Sequence, residues 1–229
     1  MANVNRPSGF RPLRYRNGAD WNGQTSMYEF AAAAANATFL YDLVAFDSTN
    51  RTAPLTDPFS PGLPFVIGAA ASSTITTAAQ RGVVVGFLPE PEFNQSVTAS
   101  LGLKYRLAST NRYAMVVDDP DVIFEAQESA GSYTTAANNM VGRIAGATIS
   151  ATQGSVTTGV SNALLTSENQ TAVLRPWKVL RFVPRIDNFN FFAGENPTNA
   201  RYEVLPFYWD LSLAYAAGTS SSATLVAGV

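Results

Sequence analysis

The chain contains no cysteine and no histidine. Without cysteine it has no disulfides, no thiolate nucleophile and no thiolate metal site. The second absence excludes more chemistry, because histidine is the commonest general base and a frequent ligand of zinc, copper and iron. A Ser-His-Asp triad, a Cys-His dyad and every histidine-based zinc motif are ruled out within this chain, whereas carboxylate-pair chemistry and oxygen-ligand metals are not. Charge is scarce as well: Asp, Glu, Lys and Arg make up 14% of the residues, against roughly 25% in an ordinary soluble domain. Much of the surface is therefore Ser, Thr, Asn, Gly and Ala, which suits burial against partners. A balance of 15 basic and 17 acidic residues, net −2, favours neither nucleic acid nor an anionic membrane. The most apolar stretch, AAAAANATFLYDLVAF, is interrupted by Asn36 and Asp42 and falls short of the roughly 20 residues of a membrane span. The N-terminus shows no apolar h-region and is read as no secretory signal. Neither GxGxxG nor a Walker A motif occurs, so nucleotide binding has no support.

What is present points to an all-β chain. With 229 residues, 46% of them hydrophobic, there is ample material for one compact unit with appendages. Residues 1–19 hold Arg6, Arg11, Arg14 and Arg16, two prolines and no acid, and read as an extended basic arm rather than a packed element. From Trp21 onward, short runs of β-branched and aromatic residues alternate with Gly/Pro/Asn/Asp clusters. Strands are predicted at Thr25–Phe30, Leu40–Ala45, Phe65–Ile67, Gly82–Leu88, Ser96–Tyr105, Arg112–Val117, Val122–Ala126, Ala147–Ala151, Ser155–Thr158, Lys178–Val183 and Arg201–Phe207, with a turn at Gly154. Four prolines in the fourteen residues of RTAPLTDPFSPGLP (51–64) make that segment an irregular loop, and a short helix over 134–145 is weakened by Gly142 and two asparagines. The reading is a β-barrel or sandwich over 20–215, with strands antiparallel, a basic N-terminal arm over 1–19, a long Pro-rich loop, little helix and a small-residue tail over 216–229.

Candidate chemistry is sparse. In RYAMVVDDPDVIFEAQE (112–128), Asp118, Asp119 and Asp121 read as the bend between two strands, where Asp accepts bonds from nearby amides and Pro fixes φ. A calcium or magnesium site is the competing reading, but the EF-hand spacing is missing. Glu125 and Glu128 read as surface residues. Glu90 and Glu92 have a spacing compatible with an inverting glycosidase pair, yet Pro89 and Pro91 mark an exposed turn. Ten of the 26 aromatics fall between Trp177 and Tyr215, a density that reads as core. Phe207, Tyr208 and Trp209 cannot all face that core, because strand neighbours point to opposite sides.

The opening MANVNRPSGFRPLR with NGADWNG, the run KYRLASTNRYAMVVDDPDVIFEAQES, and WKVLRFVPRIDNFN followed by NARYEVLPF resemble, in that order, a family of tailed-bacteriophage virion proteins encoded beside the major capsid protein. The resemblance spans most of the chain, while residues 210–229 run past the expected closing strand and Pro206 interrupts it. It implies a capsid cement or decoration protein: a β-rich homo-oligomer, a trimer by preference, on the outer surface of the virion and made in the host cytoplasm. Its partner would be the major capsid protein, with no nucleic acid, membrane, metal, cofactor or catalysis involved. On this reading the β domain forms the oligomer, and Arg6, Arg11, Arg14 and Arg16 pair with capsid acids. The alternative is a virion protein that binds carbohydrate or a receptor through aromatics such as Tyr208 and Trp209.

Overall fold

Alternating apolar and polar residues dictate strands with one buried face, and strands account for all the regular structure described. The computed structural model describes residues 3–47, 63–70, 73–75, 80–88, 104–129, 140–166, 175–185, 188 and 199–209. Among them the strands are β1 (Arg11–Tyr15), β2 (Ser26–Phe30), β3 (Leu43–Phe46), β4 (Val66–Gly68), β5 (Thr74–Ile75), β6 (Gly82–Phe87), β7 (Arg112–Val117), β8 (Val122–Gln127), β9 (Ile144–Ala145), β10 (Ala147–Thr148), β11 (Leu164–Leu165), β12 (Trp177–Phe182) and β13 (Arg201–Pro206). No α-helix occurs among the described residues.

The strands form three antiparallel sheets, and none closes into a barrel. One runs β1-β8-β13-β12-β9, a second β2-β7-β6-β3-β4, and a small third β11-β10-β5. A single apolar cluster joins all three. It takes Phe10, Val122, Phe124, Trp177, Val179, Tyr202 and Val204 from the first sheet and the segment entering it, Leu43, Val83 and Val117 from the second, and Ile75, Ala147 and Leu165 from the third. This is sandwich-like packing, two inner faces meeting over a shared core. Its centre is aromatic: Phe10 stacks on Trp177 at 4.6 Å, and Trp177 meets Trp209 edge-on at 5.3 Å. The second sheet also buries its other face, where Tyr28, Phe30, Val44, Val84, Ala114 and Val116 form a separate cluster.

The DDPD bend connects two strands as expected, but they are not hairpin partners. β7 lies in the second sheet and β8 in the first, so Asp118–Asp121 carries the chain across the sandwich. Asp118 accepts bonds from Ser26 Oγ (3.0 Å) and Tyr28 Oη (2.7 Å), and Asp119 Oδ1 accepts from the Asp121 amide (2.8 Å). These side chains hold the bend in shape.

Four expectations need correction. The segment 10–15 is a packed element: β1 pairs with β8, and Phe10 is fully buried, because aromatic burial there outweighs the polar character of its neighbours. Ser155–Thr158 is a turn instead of a strand. Gly154 bridges Ser161, and the Ser155 amide bonds Val160 O (2.9 Å) around Gly159 at φ 73°, so the reversal falls after Gly154. Residues 140–145, the second half of the proposed helix, instead lead into β9, which pairs with the edge of β12; Gly142, at φ 82°, is incompatible with a helix. Finally, the strand predicted from Leu40 begins at Leu43, after a turn in which Tyr41 takes φ 70°. Most of the Pro-rich loop, residues 96–103, residues 134–139 and residues 210–229 lie outside the described residues.

Candidate functional site: a cation-rich sheet face

The outer face of the first sheet is built by register. On β8 the inward residues are Val122, Phe124 and Ala126, so Ile123, Glu125 and Gln127 point outward. Glu203 of β13 lies directly opposite Glu125, and Arg201 opposite Gln127. From β1, Arg11 is opposite Glu125 and Arg14 opposite Ile123, with a bulge between Pro12 and Arg14. From β12, Lys178 is opposite Leu205 and Arg181 opposite Glu203, with a second bulge between Val179 and Arg181. Each bulge inserts one extra residue and flips the alternation. Arg11 and Arg14, like Lys178 and Arg181, are three apart in sequence and still share the outer face.

Two carboxylates directly opposite each other repel, and the arginines resolve this. Glu203 receives Arg14 Nη2 (2.7 Å) and Arg181 Nη2 (2.8 Å). Glu125 receives both terminal nitrogens of Arg185 (3.0 and 2.6 Å) and Arg201 Nη1 (2.8 Å). The acid side chains are 5% and 2% exposed, whereas Arg181, Arg185, Arg14 and Arg201 are 56%, 44%, 28% and 19% exposed. The carboxylates therefore lie beneath, and the guanidinium groups form the surface. Burial pushes the Glu203 carboxyl up, but the hydrogen bonds and charges of Arg181 and Arg14 outweigh it and hold the group below its ordinary value. The same contact raises Arg181. Among the described residues, four arginines of this face (Arg14, Arg181, Arg185 and Arg201) pair with two carboxylates, and Arg11 and Lys178 hold outward register positions beside them, in a chain whose net charge is −2.

The four arginines singled out in the sequence fall in different places. Arg6 is exposed; its amide donates to Gln127 Oε1 (2.9 Å), and its carbonyl accepts from Arg201 Nη2 (3.0 Å). Arg11 is exposed, with its guanidinium 5.5 Å from the centre of the Tyr41 ring. Arg14 is engaged with Glu203. Arg16 lies at the far end of β1; its amide donates to Asp121 O (2.7 Å), and it lines a surface cleft with Tyr15, Asn17, Asp119 and Asp121. The sequence reading missed Lys178, Arg181, Arg185 and Arg201. The signal for Arg201 was present, since Arg201 and Glu203 alternate with the apolar Tyr202 and Val204.

Glu125 and Glu128 are not surface residues. Both are buried: Glu125 beneath its arginines, and Glu128 with one oxygen unpartnered and its carboxyl pushed by burial up to about 8. Of the aromatic triplet, Trp209 is fully buried, Tyr208 half-buried and Phe207 exposed, so Trp209 cannot serve as a stacking platform. Glu90 and Glu92 lie outside the described residues. No group of three or more acids suited to a metal ion occurs among the described residues.

Comparison of the chain with protein-family models, with curated proteins and with solved structures finds no match in any of the three. The fold and this face define an all-β, sandwich-like protein carrying an ordered arginine surface.

Proposed function

We propose that this chain is a structural virion protein of a tailed bacteriophage, binding the outside of the capsid and cementing neighbouring capsomers. The family resemblance in the sequence is the source of this reading. The observation that carries it is the outer face of the first sheet, where cations outnumber carboxylates in a chain that is acidic overall. Such a face complements an acidic protein surface and steers association with it. Arginine suits this work, because its planar fork bonds carboxylates with two parallel N–H groups. The major capsid protein is the proposed partner, and further copies of this chain, forming a trimer by preference, complete the cementing unit. No catalysis is proposed.

The arginines act from a folded sheet, since residues 3–15 are bound to their own domain. The test is therefore substitution and not deletion of the arm. Shells assembled from the capsid protein encoded beside this chain are mixed with the parent protein and with an Arg181→Gln, Arg185→Gln variant. Binding of the parent and loss of binding by the variant, measured at a temperature where thermal unfolding shows both to be folded, is the expected outcome, and the parent's affinity should fall as salt is raised. Equal binding by both proteins would remove this face from the docking surface.

A further inference from the structure

We infer that Glu125 and Glu203 are positioning residues for docking, holding four guanidinium groups in fixed orientations so that carboxylates of the partner protein meet preformed forks. The inference rests on the docking role proposed above and goes beyond it by stating how the face recognises its partner.

A surface acting through positive potential alone gains nothing from two carboxylates under its centre, because they cancel part of that potential. Here the acids are nearly inaccessible, while Arg181 and Arg185 above them are about half exposed and Arg14 and Arg201 are partly exposed. Each acid takes two arginines: Arg14 and Arg181 on Glu203, Arg185 and Arg201 on Glu125. An arginine carries five N–H donors, and in the bonds described none of the four engages more than two of its nitrogens. Donors therefore remain on every guanidinium. A free arginine loses about 2 kcal/mol of rotamer entropy when it is fixed. Anchored on a buried carboxylate, it loses that freedom on folding and not on binding, which is the physical content of preorganisation. The two bulges serve the same end, because without them the sheet alternation would turn Arg14 and Arg181 inward.

The discriminating experiment keeps the charge and removes the fork. The Arg181→Lys, Arg185→Lys protein is compared with the corresponding Gln protein and the parent for binding to the shells named above, with thermal unfolding measured for each. The inference expects the Lys protein to bind about tenfold or more weakly than the parent, although the face keeps its formal charge. A Lys protein that binds like the parent, beside a Gln protein that does not, would overturn the positioning role while leaving the docking face intact. A Gln protein that binds like the parent would overturn the docking face itself. Should the double Lys protein lose stability, Arg181→Lys alone, at the more exposed site, carries the same comparison. Glu203→Gln supplies a second arm with opposed expectations. It adds net positive charge, so a charge-only face binds more tightly, whereas a face of positioned forks binds less tightly.

Discussion

At the scale of single residues, stability rests on a few side chains that the surrounding sequence does not mark. Arg106 is fully buried and bonds four backbone carbonyls, those of Thr110 (2.8 Å), Asn36 (2.6 Å), Ala31 (3.0 Å) and Ala34 (2.9 Å), while lying 4.9 Å from the Phe30 ring centre. Burial lowers its pKa to about 10, which leaves it charged at neutral pH. Lysine cannot span that set of acceptors, so Arg106→Lys is expected to cost at least about 2 kcal/mol in denaturant unfolding. An unchanged midpoint and slope would show that the carbonyls have other partners. Trp177 packs against Phe10, Phe124 and Trp209, and Trp177→Ala is expected to cost about 3–5 kcal/mol by the same measurement. The density of aromatics near the C-terminus already pointed to a core, but the sequence could not say that Phe10 completes it.

At the scale of elements, β1 is the strand that departs most from the sequence reading. RPLRY has a proline and two arginines, and its basic, acid-free setting resembles a solvated arm. Its anchors are Phe10 in the core and Gly9, at φ 65°, whose missing Cβ would lie 2.4 Å from Tyr41 O. Local composition carries no record of either contact, because both depend on residues far along the chain. Removal of residues 3–15 is accordingly expected to lower the thermal midpoint of the whole domain. A truncated protein with the parent's midpoint would restore the view of a separable arm. Strands with stronger patterns were legible: β7 matches its expected bounds, and β2, β6, β8, β12 and β13 fall within one residue of theirs. The candidate site was only half legible. Arg6, Arg11, Arg14 and Arg16 were named as a group, but only Arg14 among them joins Arg181 on Glu203, beside Arg185 and Arg201 on Glu125, and the strand pairing and bulges that decide this do not show in the sequence of any one segment.

At the scale of the whole molecule, two buried acids among the described residues make stability depend on pH. Burial raises Asp42 to about 7, against the hydrogen bonds it accepts from Ser161 and the Phe39 amide, and raises Glu128 to about 8. Between their unfolded and folded values the native state binds more protons than the unfolded chain, so stability falls as pH rises. That decline is expected from about pH 4 to about pH 8. Glu203, held low by its arginines, acts in the opposite sense and withdraws its contribution only as the solution becomes strongly acid. Thermal unfolding across this range should therefore show greater stability in mild acid than at pH 8. Glu128→Gln, which keeps the size and removes the titration, is expected to flatten the slope above pH 5; an unaltered slope would remove Glu128 as its source.

The sequence by itself determined the β class, the position of most long strands and the exclusion of histidine and cysteine chemistry, because periodicity and composition are local properties. Tertiary structure alone decided that the DDPD bend crosses between sheets, that Glu125, Glu128 and Trp209 are buried, and that arginines from both ends of the chain share one face. Those outcomes depend on which strands pair and in which register, and pairing is set by burial of the common core rather than by any one segment.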